Sequence, residues 1–468
     1  MSDVERELAG RVVELAAAVA GPAAEAEVVV NHTELALTRF ANSAIHQNVA
    51  EDSTTLRLRL HVDGRTATGS STVVSDEGLG GLVERTVAAA RLCPPDPGWP
   101  GLTPPGSSGG GAAYDPATAE ASPDDRAQRV RDFVDAAGGL ETAGYCRTTT
   151  WSAAFANTAG HSAYARSADA AMDCIARKDG VDGVARLVST RLADLDGGVL
   201  GARAAAKVRA GEAPRELPSG RYEVVLEPTA VADLLQNFAF YGFNGKAFNE
   251  RRSFAEPGAQ QFDAAVTFVD DPLAGAGVGL PFDIEGTIRR RLALVDQGVT
   301  ASVAHDRRTA AEAATESTGH AFPGSSTWGP MPLNLILAPE RGAGAGGSAG
   351  PAAEADGPAV DADTASLVAD VSRGLLVSDF WYTRVLDPKS LVVTGLTRNG
   401  VWLIEDGEVT IPVQNFRFTQ SYPQALAPGA VAGIAARASA LPDSWGTAWW
   451  SAPALRLTSW NFTGGASG

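Results

Sequence analysis

Leu56, Leu58, Leu60 and Val62 alternate with Arg57, Arg59 and His61, and the run reaches Asp63-Gly64 before resuming from Arg65 to Val73. A side-chain period of two sets the aliphatics on one face and the basic residues on the other, and Asp-Gly tolerates the left-handed backbone of a tight turn. The segment is expected to form an antiparallel hairpin with one wet face. It is the clearest β signal in the chain, and the other elements are placed around it.

Leu8, Val12, Leu15 and Val19 recur at helical spacing and predict an amphipathic helix before the hairpin. Helical periodicity returns over 76–92, and the Pro-, Gly- and Ser-rich stretch from Cys93 to Gly111 is a loop. Ser122-Pro123-Asp124-Asp125 supplies an N-cap, a proline at the first helical position and acidic residues in the first turn of a helix running to about Ala137. Strand-like segments follow from Leu140 to Ser189, then a helix around Leu192 to Ala210. Glu212 to Gly220 holds two prolines and leads into a strand from Tyr222 to Leu226 and a helix starting near Pro228. Beyond Gly374 the signals are mostly β. Val401–Ile404 and Val409–Val413 flank a short hairpin loop, and Asn415 to Gln420 continues extended, a density that suits an antiparallel, barrel-like sheet.

A chain of 468 residues exceeds what one core usually serves. The expected class is α+β in two domains: 1–215, an α/β domain with an antiparallel sheet and flanking helices, and 216–468, β-rich and barrel-like. Residues 341–363 carry almost no large apolar side chain, so they are expected to form a flexible insertion.

The formal net charge of -17 repels phosphate backbones and anionic lipid, which counts against nucleic-acid and membrane partners. No apolar run approaches the roughly 20 residues that cross a bilayer, and the acidic N-terminal segment lacks the order of a signal peptide, so the expected location is the cytoplasm. Cys93, Cys146 and Cys174 are scattered, without Cys-x-x-Cys spacing, and read as reduced thiols.

Several separated stretches resemble the TldD/PmbA family, also called modulators of DNA gyrase, and within it the PmbA or TldE branch. They are Leu37 to Asn48 (LTRFANSAIHQN), Pro94-Pro95-Asp96-Pro97, Phe243 to Glu250 (FNGKAFNE), Glu316-Ser317-Thr318-Gly319-His320, and Thr394 to Gly400 (TGLTRNG). The resemblance implies pairing with a TldD-like, metal-bearing homologous subunit in a heterodimer. In the catalytic, TldD-like branch, the resemblance implies, a His-Glu-x-x-x-His motif on a helix early in the second domain binds zinc or a similar divalent metal, with the glutamate acting as base. The equivalent segment here, Ala230 to Tyr241, contains no histidine, and none occurs between His161 and His305. No catalytic residue, cofactor or metal is therefore expected in this chain.

Candidate chamber residues are Asn244, Lys246, Asn249 and Glu250, a polar cluster after an aromatic helix end, together with His305, His320, Trp381, Tyr382, Arg398 and Asn399. Each has a plainer reading: a helix end stopped by Gly242 and Gly245, a pocket-lining histidine, simple sheet packing. Arg39, Asn42 and His46 read equally as strand-end structure. His305, Glu312, Glu316 and His320 offer the donor types of a metal site, with the two glutamates four apart on one helical face, but Gly319 should end that helix. No Gly-x-Ser-x-Gly elbow or phosphate-cradling Gly-Lys-Ser/Thr loop occurs.

The expected function is that of a metal-free subunit shaping a chamber for unfolded peptides. The alternatives are a heteromeric hydrolase acting on an amide or C–N bond in a small natural product, a non-enzymatic gyrase-modulating binding protein, and a stand-alone metalloenzyme built on the His305 to His320 region.

Overall fold

The computed structural model describes residues 4–106, 113–274, 279–339, 360–442 and 448–465. Helix α1 (Val4–Ala20) leads into β1 (Glu25–Ala41), β2 (Ala44–Val62) and β3 (Arg65–Ser71). The hairpin turns at Asp63 and Gly64, both at positive φ. Next come α2 (Asp76–Leu92), α3 (Pro116–Ala119), α4 (Pro123–Ala136), β4 (Glu141–Asn157), β5 (Ser162–Lys178), β6 (Val181–Ser189) and α5 (Gly197–Ala210). The six strands form one antiparallel sheet in the order β3-β2-β1-β4-β5-β6.

The alternation seen in the sequence decides which face the helices cover. Leu56, Leu58 and Leu60 of β2 join Val28 and Val30 of β1 under α1 and α2, all fully buried. At the other end of the sheet Phe40 and Met172 pack beneath Phe133 of α4 and Leu200 and Val208 of α5. Ser122 caps α4 in a reciprocal capping box with Asp125, as its sequence predicts. Each large aliphatic or aromatic side chain buried this way contributes about 1.5–3 kcal/mol.

The second half begins with β7 (Gly220–Leu226) and α6 (Pro228–Asn237), followed by α7 (Gly245–Asn249), β8 (Phe268–Asp270), β9 (Leu292–Asp296), β10 (Val299–Thr300), α8 (Arg307–Glu312) and β11 (Asn334–Leu337). Then come β12 (Arg373–Asp387), β13 (Val392–Glu405), β14 (Glu408–Pro412), β15 (Phe416–Ser421), β16 (Val431–Pro442) and β17 (Trp449–Gly465), completing a β-rich unit. Strand β7 pairs in parallel with β12 and antiparallel with β17, so that β17, β15, β13, β12 and β7 close into a ring. Phe238 is at the centre of an aromatic cluster with Phe243, Phe254, Phe262 and Phe268, ring centroids 5.2–5.9 Å apart.

Four local expectations need correction. Val19 stays 43% exposed because the buried stripe of α1 runs through Ala9, Val12 and Ala16. The helix expected over 192–210 is split into a short turn, Leu192–Asp194, and α5, because the Asp196 side chain caps the Val199 amide and starts a new helix there. The helix expected to reach Tyr241 gives way after Asn237 to a wider π-type turn, Phe238–Gly242. Helix α8 stops at Glu312, with Ala314 at positive φ, so Glu312 and Glu316 do not share a helical face. Most of the expected insertion at 341–363 lies outside the described residues, as does the stretch 107–112 of the first loop; Asp361 already caps a helix, Ala362–Ala369.

Candidate functional site

The uncovered face of the first sheet meets the second half of the chain. Val29, Ala153, Phe155, Ala163 and Ala165 pack against Phe282, with Leu280, Ile284 and Ile288 beside it. The turn at Asp283 to Thr287 is clamped there. Asp283 Oδ1 accepts from the amides of Glu285 and Thr287, Thr103 Oγ1 donates to the Glu285 carbonyl at 2.6 Å, and His161 Nε2 lies 2.9 Å from the Gly286 carbonyl.

Beside this contact a cleft opens, with a cavity of about 160 Å3. One wall is the β2 face carrying Arg57 and Arg59, with Glu27 of β1 and Thr68 of β3. The other is built by Lys246 and Glu250 at α7, Glu285, the α8 residues Arg308, Thr309 and Glu312 with their cap Asp306, and Ser325 and Ser326. The face expected to be wet is instead an internal wall.

Arg59 holds the two walls together. Its Nε lies 2.7 Å from Glu27 Oε1, its Nη1 lies 2.7 Å from Glu285 Oε1, and its guanidinium stands 4.9 Å over the Trp99 ring, against which His61 stacks. Burial works against the Arg59 charge, yet the two carboxylates raise it above its ordinary value. Burial also pushes the Glu27 carboxyl up to about 7, although Arg59 opposes the rise. The Asp306 carboxyl is raised by burial and by Glu285, while its side chain caps α8 by accepting from the Thr309 amide. The Pro94–Pro97 loop buttresses the rim, with Asp96 taking both Nη atoms of Arg308 at 2.7 and 3.0 Å; this pairing holds the Asp96 carboxyl below its ordinary value.

Of the ten candidate residues read from the sequence, Lys246 and Glu250 line this cleft. Lys246 Nζ donates to the carbonyls of Ser326 and Thr327, both at 3.0 Å, and Glu250 pairs with Arg252. Asn244 and Asn249 are supports: Asn244 caps α7 and donates to the Trp328 carbonyl, and Asn249 donates to the Thr309 carbonyl and to Glu312.

His305 and His320 sit behind the wall, buried and engaged. His305 Nδ1 lies 3.2 Å from Thr309 Oγ1, and burial, aided by His320, pushes its pKa down to about 4. Both His320 nitrogens are used, Nδ1 at 2.8 Å from Thr318 Oγ1 and Nε2 at 2.9 Å from Asp270 Oδ2. Burial would raise the Asp270 carboxyl, but His320 and Arg289 hold it down to about 2.

Trp381, Tyr382, Arg398 and Asn399 form a separate patch on β12 and β13. Trp381 and Tyr382 are exposed, and Arg398 lies 5.0 Å over the Trp381 ring. Asn399 donates to Asp379, which also pairs with Arg186 of β6 at 2.9 Å.

A catalytic metal would need several free donors on one helix. Where the resemblance places the metal-binding helix, α6 carries Thr229, Asp233, Gln236 and Asn237 as its polar side chains, and Asp233 is taken by Tyr422 and Thr383 at 2.7 Å each. That set does not fit. Among the described residues one trio, His32, Glu34 and Asp52, has donor atoms within 4.8 Å of one another; it stands on β1 and β2, its carboxylates exposed, with His32 Nε2 already 2.7 Å from Asp52 Oδ1.

The sequence does not single out Glu27, Arg57, Arg59, Glu285 or Arg308 as site residues. The alternation on β2 had placed Arg57 and Arg59 on one face, but nothing local says what covers that face.

The profile of the PmbA/TldA metallopeptidase C-terminal domain matches residues 219–464, and that of the family's domain 1 matches residues 26–90. No curated protein matches the chain. Among solved structures, TldE from Thermococcus kodakarensis superimposes with a TM-score of 0.81 at 17% identity, covering 98% of this chain and 100% of that one. A protein of Thermotoga maritima MSB8 described as a modulator of a DNA gyrase gives 0.79 at 18% identity, covering 98% and 100%. One of Bacteroides thetaiotaomicron VPI-5482, described likewise, gives 0.78 at 19%, covering 98% of each chain. These likenesses show a shared fold, and with the C-terminal profile spanning over half of the sequence, the chain belongs to the TldD/PmbA (PmbA/TldA) metallopeptidase family.

Proposed function

We propose that this chain is the metal-free subunit of a heteromeric TldD/TldE-type peptidase. Its cleft forms part of a chamber that admits unfolded peptide, while a TldD-like partner carries zinc or a similar divalent metal and hydrolyses the bond. The observation that carries this reading is the donor chemistry of α6: it offers no imidazole, and its carboxylate is committed to Tyr422 and Thr383. Of the two histidines further along the same half, His320 has both ring nitrogens engaged, at Thr318 and Asp270, and His305 has its Nδ1 at Thr309 Oγ1, so they do not offer an imidazole pair to a metal. The fold likeness to a TldE supports the same reading.

In this account the chain contributes binding and enclosure. A charged cleft between a sheet face and a wall of short helices suits an extended strand, whose backbone offers donors and acceptors along its length, and excludes a folded domain. The location is proposed to be the cytoplasm; no helix among the described residues is long and apolar enough to cross a membrane. The test is reconstitution with a TldD-like homologue and an unstructured peptide. Cleavage by the mixture, with neither subunit active alone, is the expected result, and cleavage by the homologue that is indifferent to this chain overturns it.

A further inference from the structure

The β2 face that carries Arg59 also carries Arg57 two residues earlier, and the two differ in one respect. Arg59 is held by two carboxylates. Arg57 is half-buried and lines the cleft, yet among the described residues no ion-pair or hydrogen-bond partner holds it. Burial, with the neighbouring charge of Arg59, pushes its guanidinium below the ordinary value against the pull of Glu27. On the facing wall Lys246 meets two backbone carbonyls, and among the described residues no carboxylate pairs with it. The remaining lining cation, Arg308, is neutralised by Asp96.

A partly desolvated cation without a counter-ion is costly, and Arg57 is in that position on the wall of the cavity that Lys246 also lines. We propose that Arg57, assisted by Lys246, forms a carboxylate-binding subsite that takes the C-terminal carboxylate of a peptide in the cleft. A guanidinium presents a planar fork that matches a carboxylate in two parallel bonds, which a lysine cannot do alone. Five acidic residues, Glu27, Glu250, Glu285, Asp306 and Glu312, line the same cavity and disfavour a dianion such as phosphate, while a monoanion can pair with Arg57 alone. The cavity, about 160 Å3, accommodates the end of a chain.

This proposal rests on the reading of the cleft as a peptide site, and the test separates the two. Calorimetric titration of the full-length chain uses an N-acetylated, unstructured pentapeptide in three forms: free acid, C-terminal amide, and amide with one internal glutamate. The free acid should bind about tenfold or more tightly than the amide, the scale of one charge-assisted hydrogen-bonded pair. Arg57→Gln should bring the acid down to the affinity of the amide and leave the amide unchanged, and Arg57→Lys should recover part of the difference, each variant unfolding in urea at the wild-type midpoint. Equal affinity of acid and amide overturns the carboxylate subsite and leaves the peptide cleft standing. Binding of the glutamate-containing amide as tightly as the acid overturns the C-terminal assignment, since an acidic side chain then suffices. Failure of all three to bind overturns both proposals.

Discussion

Glu285 Oε1, in the C-terminal half, lies 2.7 Å from Nη1 of Arg59 on β2, an ion pair that joins the two halves of the chain across the cleft. Their side chains are only 3% and 19% exposed, and Glu27, the cross-strand neighbour of Arg59, completes the triad at 2.7 Å. Arg59→Met leaves two buried carboxylates facing each other. The variant should lose about 3 kcal/mol of stability in urea unfolding, and a change below about 0.5 kcal/mol, the range of ordinary surface substitutions, contradicts this role.

Glu27 gives the triad a pH dependence. Its carboxyl is raised from 4.5 to about 7, so the folded chain keeps a proton that the unfolded chain has released. The stabilising contribution is present below about 4.5 and is lost as the pH rises through 7. Across that window the unfolding midpoint of the wild type should fall relative to that of Glu27→Gln, the comparison in which the opposing contribution of His305 cancels. A wild-type midpoint that climbs steadily from pH 4.5 to 7, with an identical profile in the variant, counts against it.

His305 acts in the opposite sense. Its pKa falls from 6.5 to about 4 on folding, so protonation favours the unfolded chain and stability is lost as the pH drops from 6.5 through 4. His305→Gln should remove this acid-side loss. Nuclear magnetic resonance titration of the ring offers a direct check, and a midpoint at or above 6.5 contradicts the burial argument.

Asp270 accepts from His320 and Arg289 at 2.9 and 3.1 Å and from the Asn334 amide at 2.7 Å. Asp270→Ala strands a buried cation and should cost about 3–5 kcal/mol in denaturant unfolding. His320→Ala should also destabilise the chain while leaving its metal content unchanged, as measured by mass spectrometry. A metal lost together with His320 would reinstate the metalloenzyme alternative.

Gly286 stands at φ +72°, and a Cβ there would come within 2.4 Å of the Phe155 ring. Gly286→Ala combines a strained backbone with overpacking against the first sheet, and about 2 kcal/mol of destabilisation is expected. Wild-type unfolding by the variant shows that the turn does not need this close seat.

How much was legible in the sequence follows from the range of the forces involved. The β2–β3 hairpin, the capped α4 and the strands after Gly374 were readable because alternation, caps and turns act over a few residues. The end of α1 is not legible because Ala9 and Ala16, rather than Val19, fill the close approach to the sheet, and alanine carries little periodic signal. Helix α5 starts later than the apolar pattern suggests because a side-chain cap, Asp196, outweighs the apolar run before it. The cleft was legible only in part. Lys246 and Glu250 lie in a recognisable stretch, whereas Arg59 and Glu285 meet across more than 220 residues of sequence, and what covers the Arg57 and Arg59 face is set by how the second half packs on the first sheet. Trp381 and Arg398 do stack on each other, on a face that does not line this cleft.

Metal stoichiometry of the purified chain, measured by mass spectrometry beside a peptide-turnover assay, bears most directly on the division of labour proposed here. No stoichiometric divalent metal and no turnover by the chain alone are the predicted results. One tightly held divalent ion per chain, with hydrolysis in the absence of any partner, contradicts the account.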